Sequence, residues 1–446
     1  MKRILITLAV LMISLPSFGA NPDRPPNIIL ILADDLGIGD VGAFGGRTIK
    51  TPHLDRIAAD GAVLTNFYAS ANICSPSRAG ILTGRYPIRS GMAWDVVTAE
   101  DAHGLPPEEV TIADMLRARG YSTAMVGKWH LGNRLPYWPT RQGFESFYGV
   151  PHSNDMPDFA LYRDEQKIEQ PVDQATLTRR YTQEAVKFIG AHSTRPFFLY
   201  LAHTFPHIPL FVSAEFAGKS AAGLYGDAVE EIDWSTGQIV QALQKLGLYD
   251  NTLILFTSDN GAWWEGSNGT SRGAKGSTWE AGYRVGLIAS LPGRIRSGMT
   301  SDVLSANIDL LPTIADLTGS RVSGDPEIDG RSLLPLLTSE SAVQSPHDYF
   351  YYFNNEELAG IRDSRWKLVT RAYYRGHLGA MDKFDQLPEF SSPYWLLFDL
   401  STDQPEHYSM AREHPDVVRR LAREMARAEK LFRATAVHER QRTYPP

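Results

Sequence analysis

The sequence predicts an α/β fold: a large, mostly parallel sheet sandwiched by helices, followed by a smaller C-terminal unit in which an antiparallel sheet packs with one helix. Three observations predict it. Continuous apolar runs at 27–33 (NIILILA), 121–126, 197–202 (FFLYLA) and 252–258 (TLILFTS) recur between stretches of helical periodicity, as in a parallel sheet covered on both faces. Each run delivers residues with chemistry at its carboxyl end. From about residue 343 the character changes to short alternating segments at 347–353, 360–370 and 394–400, closed by a basic amphipathic stretch at 415–434.

Residues 1–20 combine Lys2 and Arg3, an apolar core over 4–15, and the small residues Ser17, Gly19 and Ala20. This is a secretory signal pattern, too short to span a bilayer, and it predicts a periplasmic or secreted protein with no stable membrane anchor. The whole chain has 44 basic and 51 acidic residues, a net charge of −7; without Lys2 and Arg3 the balance is 42 to 51, or −9. That balance excludes a nucleic-acid surface, and an anionic substrate would need local cations. No internal repeat, low-complexity segment or heptad run is present. One cysteine in a disulfide-permissive compartment means that the fold rests on its core rather than on staples.

In order, the strand at 27–33 leads to Asp34-Asp35. Thr51-Pro52 opens a helix that stops at Gly61. Residues 73–85 (ICSPSRAGILTGR) then hold the lone Cys74 just ahead of a Pro76-led helical run ending at Thr83-Gly84. A helix over 111–120 precedes the 121–126 strand, which delivers Lys128 and His130 in GKWHLG. After a helix at 178–190, the 197–202 strand ends in His203 and His207. A long helix at 226–247 precedes the last run, which delivers Asp259-Asn260-Gly261. Ligands of open parallel sheets bind outside the carboxyl ends of the strands, so these groups should converge in one cleft.

Taken singly, a strand-end Asp reads as a turn residue, a lysine as a solvated charge and a free cysteine as buried filler. Four strand ends in register with the cysteine motif favour chemistry instead. Asp34, Asp35, Asp259 and Asn260 offer only oxygen ligands, which suit calcium or magnesium rather than zinc. Arg78, Lys128, Lys275, His130 and His207 suit a tetrahedral oxyanion held beside that cation, as in a phosphate- or sulfate-ester site. If 74–78 is helical, Cys74 and Arg78 project from one face one turn apart, and the helix N-terminus favours negative charge there. Trp129, Trp263, Trp264 and Trp279 read as packing or pocket walls; Trp263-Trp264, directly after the Asp259-Asn260 pair, could stack on a sugar or aryl ring.

CSPSRAGILTGR resembles the C-x-P-x-R signature, with its trailing LTGR, of the formylglycine-dependent (type I) sulfatases. ADDLGIGD, TPHLDRIAADG, GKWHLG, FFLYLAHTFPHIPL, TSDNG, AKGSTWEAGYR and RDSRWKLV are similar to that family's successive blocks, in the family's order, over most of the mature chain. Residues 141–155 and 167–189 resemble in particular the arylsulfatase A and N-acetylgalactosamine-6-sulfatase branch. The resemblance implies an alkaline-phosphatase-like fold divided into a signal peptide (1–20), a catalytic sulfatase domain (21–342) and a smaller C-terminal domain (343–446).

It further implies that Cys74 is oxidised to formylglycine (3-oxoalanine) by a maturation enzyme and hydrated to a geminal diol. Asp34, Asp35, Asp259 and Asn260 would hold one calcium ion, magnesium being the lesser candidate, with residue 74 completing the metal site. One diol oxygen would attack sulfur and displace the alcohol; the second hydroxyl would then lose its proton and expel sulfate as the aldehyde re-forms. Arg78, Lys128 and Lys275 resemble the family's charge clamps, His207 its general acid and His130 the histidine at the diol. Ser153 corresponds to a serine near the diol, and His203 matches no role firmly. The implied substrate is a sulfated saccharide or an aryl sulfate. A phosphomonoester or phosphonate-ester hydrolase of the same superfamily is the alternative, as is a non-catalytic sulfated-glycan binder were Cys74 to stay unmodified. Where the family has a DPxE-type turn this chain has DQPEHY, a departure expected to be remote from the chemistry. Residues 373–389, rich in charge and aromatics, are expected to reach the cleft and help select substrate.

Overall fold

The computed structural model describes residues 24–324, 327–339, 343–372 and 395–437. The signal segment and the 373–389 loop therefore lie outside the described residues. The strands are β1 (Asn27–Ala33), β2 (Ala62–Leu64), β3 (Phe67–Tyr68), β4 (Ser122–Lys128), β5 (Ser146–Val150), β6 (Leu161–Arg163), β7 (Gln166–Glu169) and β8 (Phe197–Ala202). They continue with β9 (Thr252–Ser258), β10 (Leu287–Ser290), β11 (Met299–Ser301), β12 (Ser305–Ala306), β13 (Phe350–Asn354), β14 (Glu357–Arg362), β15 (Trp366–Val369) and β16 (Leu396–Asp399). The helices are α1 (Pro52–Ala59), α2 (Cys74–Thr83), α3 (Ile112–Arg117), α4 (Leu177–Ala191), α5 (Gly223–Lys245), α6 (Glu280–Tyr283), α7 (Leu310–Thr318), α8 (Leu334–Thr338) and α9 (Pro415–Thr435).

Among the described residues the large sheet has ten strands, ordered β11-β2-β10-β9-β1-β8-β4-β5-β6-β7. Its centre, β9-β1-β8-β4-β5, is entirely parallel. Antiparallel strands appear only towards the two edges. The apolar runs are continuous because both faces are covered. Ile28, Leu30 and Leu32 point into one core with residues of α2, α3, α7 and α8. Ile29, Ile31 and Ala33 point into the other, with α1, α4 and α5. Residue 28 pairs with 198 and 253, so the central strands end level and their carboxyl ends form one rim.

Local signals account for some of the helix limits. Thr111 and Asp114 form a reciprocal capping box at the start of α3, each side chain accepting from the other's backbone N–H at 3.1 Å. Gly84, with φ +68°, closes α2 by donating its N–H to Gly80 O. Two expectations shift. The helix around Pro76 begins two residues earlier, so Cys74 is its first residue rather than a residue ahead of it. The 360–370 segment is not one strand but the end of β14 and the whole of β15, joined by a turn in which Asp363 Oδ1 accepts from the N–H groups of Arg365 and Trp366. Asp363-Ser364 supplies turn chemistry that the flanking apolar residues masked.

The small sheet runs β13-β14-β15-β16, antiparallel throughout, with α9 packed on β14 and β15. Its core is shared with the larger unit: Tyr68, Tyr86 and Tyr283 pack among Phe350, Tyr352, Leu421 and Phe432.

His203 follows β8 and is fully buried, its N–H donating to Leu32 O at 2.8 Å and both ring nitrogens lacking partners among the described residues. Burial pulls its pKa from the ordinary 6.5 down to about 3. The unfolded imidazole therefore gains its proton near pH 6.5, whereas the folded one does so only near 3; the stability is complete above 6.5 and is lost as pH falls. About 2 kcal/mol should disappear between pH 7 and pH 5 from this residue alone. We expect His203→Leu to remove that share of the pH dependence in urea unfolding at the two pH values; an unchanged dependence would contradict a buried neutral imidazole.

Candidate active site

Three carboxyl ends of the parallel strands, with the start of α2, build the charged centre of one site. Asp34-Asp35 follow β1, Lys128 is the last residue of β4, and Asp259-Asn260 follow β9. The backbone ladder continues beyond the strands, with Asp259 N–H donating to Ala33 O and Asp34 N–H to Phe205 O, each at 3.2 Å, which fixes how the side chains meet. At Gly127 the backbone takes φ +110°, and a Cβ would lie 1.7 Å from Ala202 O; only glycine lets β4 approach β8 here while presenting Lys128. Asp35 and His130 adopt left-handed φ values of 64° and 61°, a strained conformation for side-chain-bearing residues that the surrounding structure must enforce.

Asp34, Asp35, Asp259 and Cys74 each offer a ligand atom, all within 4.8 Å of one another and all buried. Cys74 Sγ lies 3.6 Å from Asp34 Oδ1 and 3.8 Å from Asp35 Oδ1. Asn260 Nδ2 donates to Asp35 Oδ1 at 2.8 Å, and Asn260 Oδ1 is buried without a hydrogen-bond partner among the described residues. Three converging carboxylates and an amide oxygen left unsatisfied fit a hard divalent cation bound by oxygen.

Cations surround this cluster. Arg78, one turn beyond Cys74, reaches Asp259 Oδ2 through Nε at 3.0 Å and Nη2 at 2.9 Å, lies 3.4 Å from Asp34 Oδ1, and donates to Lys128 O. Lys128 Nζ pairs with Asp34, donates to Ser153 Oγ at 3.0 Å and lies 4.0 Å from Cys74 Sγ. Lys275 Nζ pairs with Asp35 Oδ2 at 2.8 Å. Burial works to raise Asp34, but Lys128 and Arg78 outweigh it and hold the carboxyl low; Asp259, buried and facing Asp34, is pushed up. Burial pushes the Cys74 thiol up even with Lys128 and Lys275 nearby, the opposite of a reactive thiolate.

Both site histidines are held neutral. Burial, then Lys128 and Arg78, pull His130 well below its ordinary value; burial, then Lys275 and Lys128, pull His207 down. His207 Nδ1 faces Ile208 O, so it carries the hydrogen and Nε2 turns toward Ser153 Oγ at 3.5 Å and Asp35 Oδ2 at 3.7 Å. His130, 1% exposed, has no partner for either ring nitrogen among the described residues.

The candidate metal, catalytic and binding residues Asp34, Asp35, Cys74, Arg78, Lys128, His130, Ser153, His207, Asp259, Asn260 and Lys275 gather here, whereas His203 does not line the cleft. The cleft, of about 470 Å³, also has walls that sequence reasoning missed: Trp94, Asp95, Val96 and Thr98 on one segment, and Asp155 and Met156 on another. Only their closeness to known motifs pointed to them: Val97 N–H donates to Ser75 Oγ at 2.9 Å, and Asp155 lies two residues beyond Ser153. Trp263 lines the cleft at 8% exposure and its neighbour Trp264 stands 60% exposed beside it. Trp129 is core, and Trp279 packs under the Arg272 guanidinium and against Phe398.

Comparison with known proteins gives a consistent set of matches. The family model described as Sulfatase matches residues 26–320, and the model for the N-sulphoglucosamine sulphohydrolase C-terminal region matches 274–430. The chain is 37% identical over 462 residues to steryl-sulfatase of Mus musculus, covering 82% of this chain and 74% of the relative. It is 38% identical over 418 residues to N-acetylgalactosamine-6-sulfatase of Mus musculus, covering 86% and 78%. Among solved structures, that of Ps i-CgsB in complex with k-i-k-neocarrahexaose superposes with a TM-score of 0.80 at 28% identity, covering 93% of this chain and 94% of that one.

The charge balance yields a direct test. Arg78→Met removes the cation shared by Asp34 and Asp259 in a fully buried place, and should cost about 3–5 kcal/mol in urea unfolding with chelator present. A loss below about 1 kcal/mol, the range of exposed ion pairs, would contradict this reading.

Proposed function

The chain belongs to the sulfatase family and is a sulfuric ester hydrolase, and on that premise we propose that it releases sulfate from a sulfated saccharide or aryl sulfate using formylglycine made from Cys74 beside a bound calcium ion. The observation that carries this reading is the position of Cys74, on the first turn of α2 with its sulfur 3.6–3.8 Å from the carboxylates of Asp34 and Asp35 and 4.0 Å from Lys128 Nζ. The neutral, buried thiol suits a precursor awaiting conversion rather than a nucleophile in its own right.

Asp34, Asp35, Asp259 and Asn260 would hold the calcium. When bound, it lowers the pKa of a coordinated hydroxyl and orients it. Hydrated formylglycine at residue 74 would supply the attacking oxygen and a second hydroxyl whose ionisation would expel sulfate. The remaining work falls to the chain's own groups. Arg78 neutralises Asp34 and Asp259 and fixes the residue-74 turn. Lys128, whose ammonium lies 4.0 Å from Cys74 Sγ, and Lys275, which lines the cleft, bind the sulfuryl oxygens and stabilise charge developing on them. His207, neutral with its hydrogen on Nδ1 in the free site, gains a proton on Nε2 when an anionic ester arrives beside Lys128 and Lys275, offsets their charge and lifts the depressed pKa, and it passes that proton to the leaving oxygen. Ser153 links Lys128 to His207, and His130 accepts a proton during sulfate release. Trp94, Val96, Met156, Ile208 and Trp263 offer ring-sized apolar walls for the alcohol.

A formylglycine-generating enzyme is the implied maturation partner, and export to the periplasm or medium the implied location; no described helix is long and apolar enough to cross a membrane. The division into a catalytic unit, 21–342, and a smaller unit, 343–446, belongs to the same proposal.

Protein co-expressed with a formylglycine-generating enzyme should release sulfate from an aryl sulfate or from defined sulfated sugars faster than phosphate from matched phosphate esters, and the 57–78 peptide should carry CHO in place of CH2SH. Protein with confirmed conversion that releases sulfate from none of them would sink the reading. His207→Ala should lower kcat by about 10²–10⁴. If Trp263 and Trp264 stack on a saccharide, replacing both with alanine should raise KM for an oligosaccharide and spare a small aryl sulfate; equal KM values for the saccharide in both proteins would remove that role.

A further inference from the structure

Behind Lys275 lies a second buried charge cluster that the reaction does not use. The segment 272–283 carries Lys275 into the cleft, and its far side is gripped by the small sheet. Lys367, on β15 and fully buried, reaches Glu280 Oε1 at 3.1 Å, Glu406 Oε1 at 2.8 Å and the backbone oxygen of Thr278 at 3.1 Å. Glu406, equally buried, accepts the Glu280 N–H at 2.8 Å, and its own carbonyl accepts from Arg272 Nη1 at 3.0 Å. Tyr68 and Tyr352 each donate to Glu280 at 2.5 Å, while Asn72 Nδ2 links Ser277 O to Asn354 Oδ1. Anchors therefore stand on both sides of Lys275, at 272 and at 277–280, and several come from residues 354, 367 and 406.

We propose that Lys367 and Glu406 are positioning residues for Lys275: through Glu280 and the Thr278 carbonyl they hold segment 272–283 in the place that sets the Lys275 ammonium against Asp35, facing the sulfuryl group. The proposal rests on the reading of Lys275 as a sulfate clamp. It also revises the expectation for DQPEHY. Glu406, with φ +56°, is the pivot of that turn, and its carboxylate is tied to the loop that carries Lys275.

The physical reason is the cost of misplacement. A lysine has a long, rotamer-rich side chain, and its ammonium stays in one place only if the backbone beneath it is fixed. Hydrogen bonds to backbone atoms of the segment, at Thr278 O and Glu280 N, fix that backbone directly rather than through packing.

The test uses the full, converted chain. Lys367→Met alone strands two carboxylates, so the principal variant is the charge-balanced Lys367→Met/Glu406→Gln, with Glu406→Gln alone as the milder one. We expect the double variant to lose about tenfold to a hundredfold in kcat/KM on an aryl sulfate, the scale of an ångström misplacement. In a Lys275→Ala background the same pair of changes should alter kcat/KM less than about twofold, since coupled sites are not additive. Independently of turnover, acetic anhydride labelling of the Lys275 amine, read by peptide mass spectrometry, should rise severalfold in the double variant and less in Glu406→Gln. Equal losses in both backgrounds, or labelling of Lys275 unchanged in both variants, would overturn the proposal. If Lys275→Ala itself keeps full turnover, the clamp reading fails, and the labelling still decides whether these residues position Lys275.

Discussion

Three carboxylates packed within a few ångströms, out of water, are the constraint on which the rest of the structure depends. Each costs several kcal/mol to bury, and at this separation they repel one another as well. The fold answers by bringing cations from three unrelated places: Arg78 from α2, Lys128 from the end of β4 and Lys275 from the loop before α6. Each placement dictates a structural feature. For Arg78 to reach Asp259 with two nitrogens, α2 must be buried along its whole length, and all ten of its residues are. Lys128 needs β4 to run to its full seven residues beside β8, which the glycine at 127 permits. The left-handed backbone at Asp35 and His130 is the residual strain of fitting so many charged groups to one rim.

Where the sequence was legible, it was so for physical reasons. The central strands are buried on both faces and hence spelled as unbroken apolar runs, and their level carboxyl ends turn strand-end residues into site residues; Asp34, Asp35, Lys128, Asp259 and Asn260 could be found that way. The outer strands left little trace. β6, β10 and β11 have three or four residues each, too short for a period to register. The split of 360–370 hinged on two turn residues inside an apolar stretch. Lys275 stands at no strand end, so the strand-end argument does not reach it; it reads only as a cation suited to an oxyanion and as part of the AKGSTWEAGYR block. The cleft walls at 94–98 and 155–156 belong to irregular segments whose form is set by contacts with distant residues, and only the folded chain reveals them.

His203 and His207 show how close the sequence can come and still not decide. Both follow β8, four residues apart, in one histidine-rich block. The ladder bond from His203 N–H to Leu32 O turns that residue inward, where burial keeps it neutral. His207, beyond the turn, points its Nε2 at the cluster. Four residues of chain separate a buried, inward-turned histidine from one that faces the carboxylate cluster.

The smaller unit is more than an appendage to this arrangement. Its aromatic core is completed by Tyr68, Tyr86 and Tyr283 of the larger unit, so this shared cluster is buried only where the two meet. Its charges likewise mirror those of the site: as Lys275 answers Asp35 in front, Lys367 answers Glu280 and Glu406 behind, with segment 272–283 held between the two layers. A cation proposed to bind a sulfuryl group beside carboxylates cannot sit on a loose loop, because the attraction of Asp35 would then compete with substrate from many geometries rather than one. Fixing the segment from its back face limits Lys275 to the one position in which it neutralises Asp35 and still confronts the cleft. On the proposed reading the four-stranded sheet supports Lys275 from behind the segment that carries it.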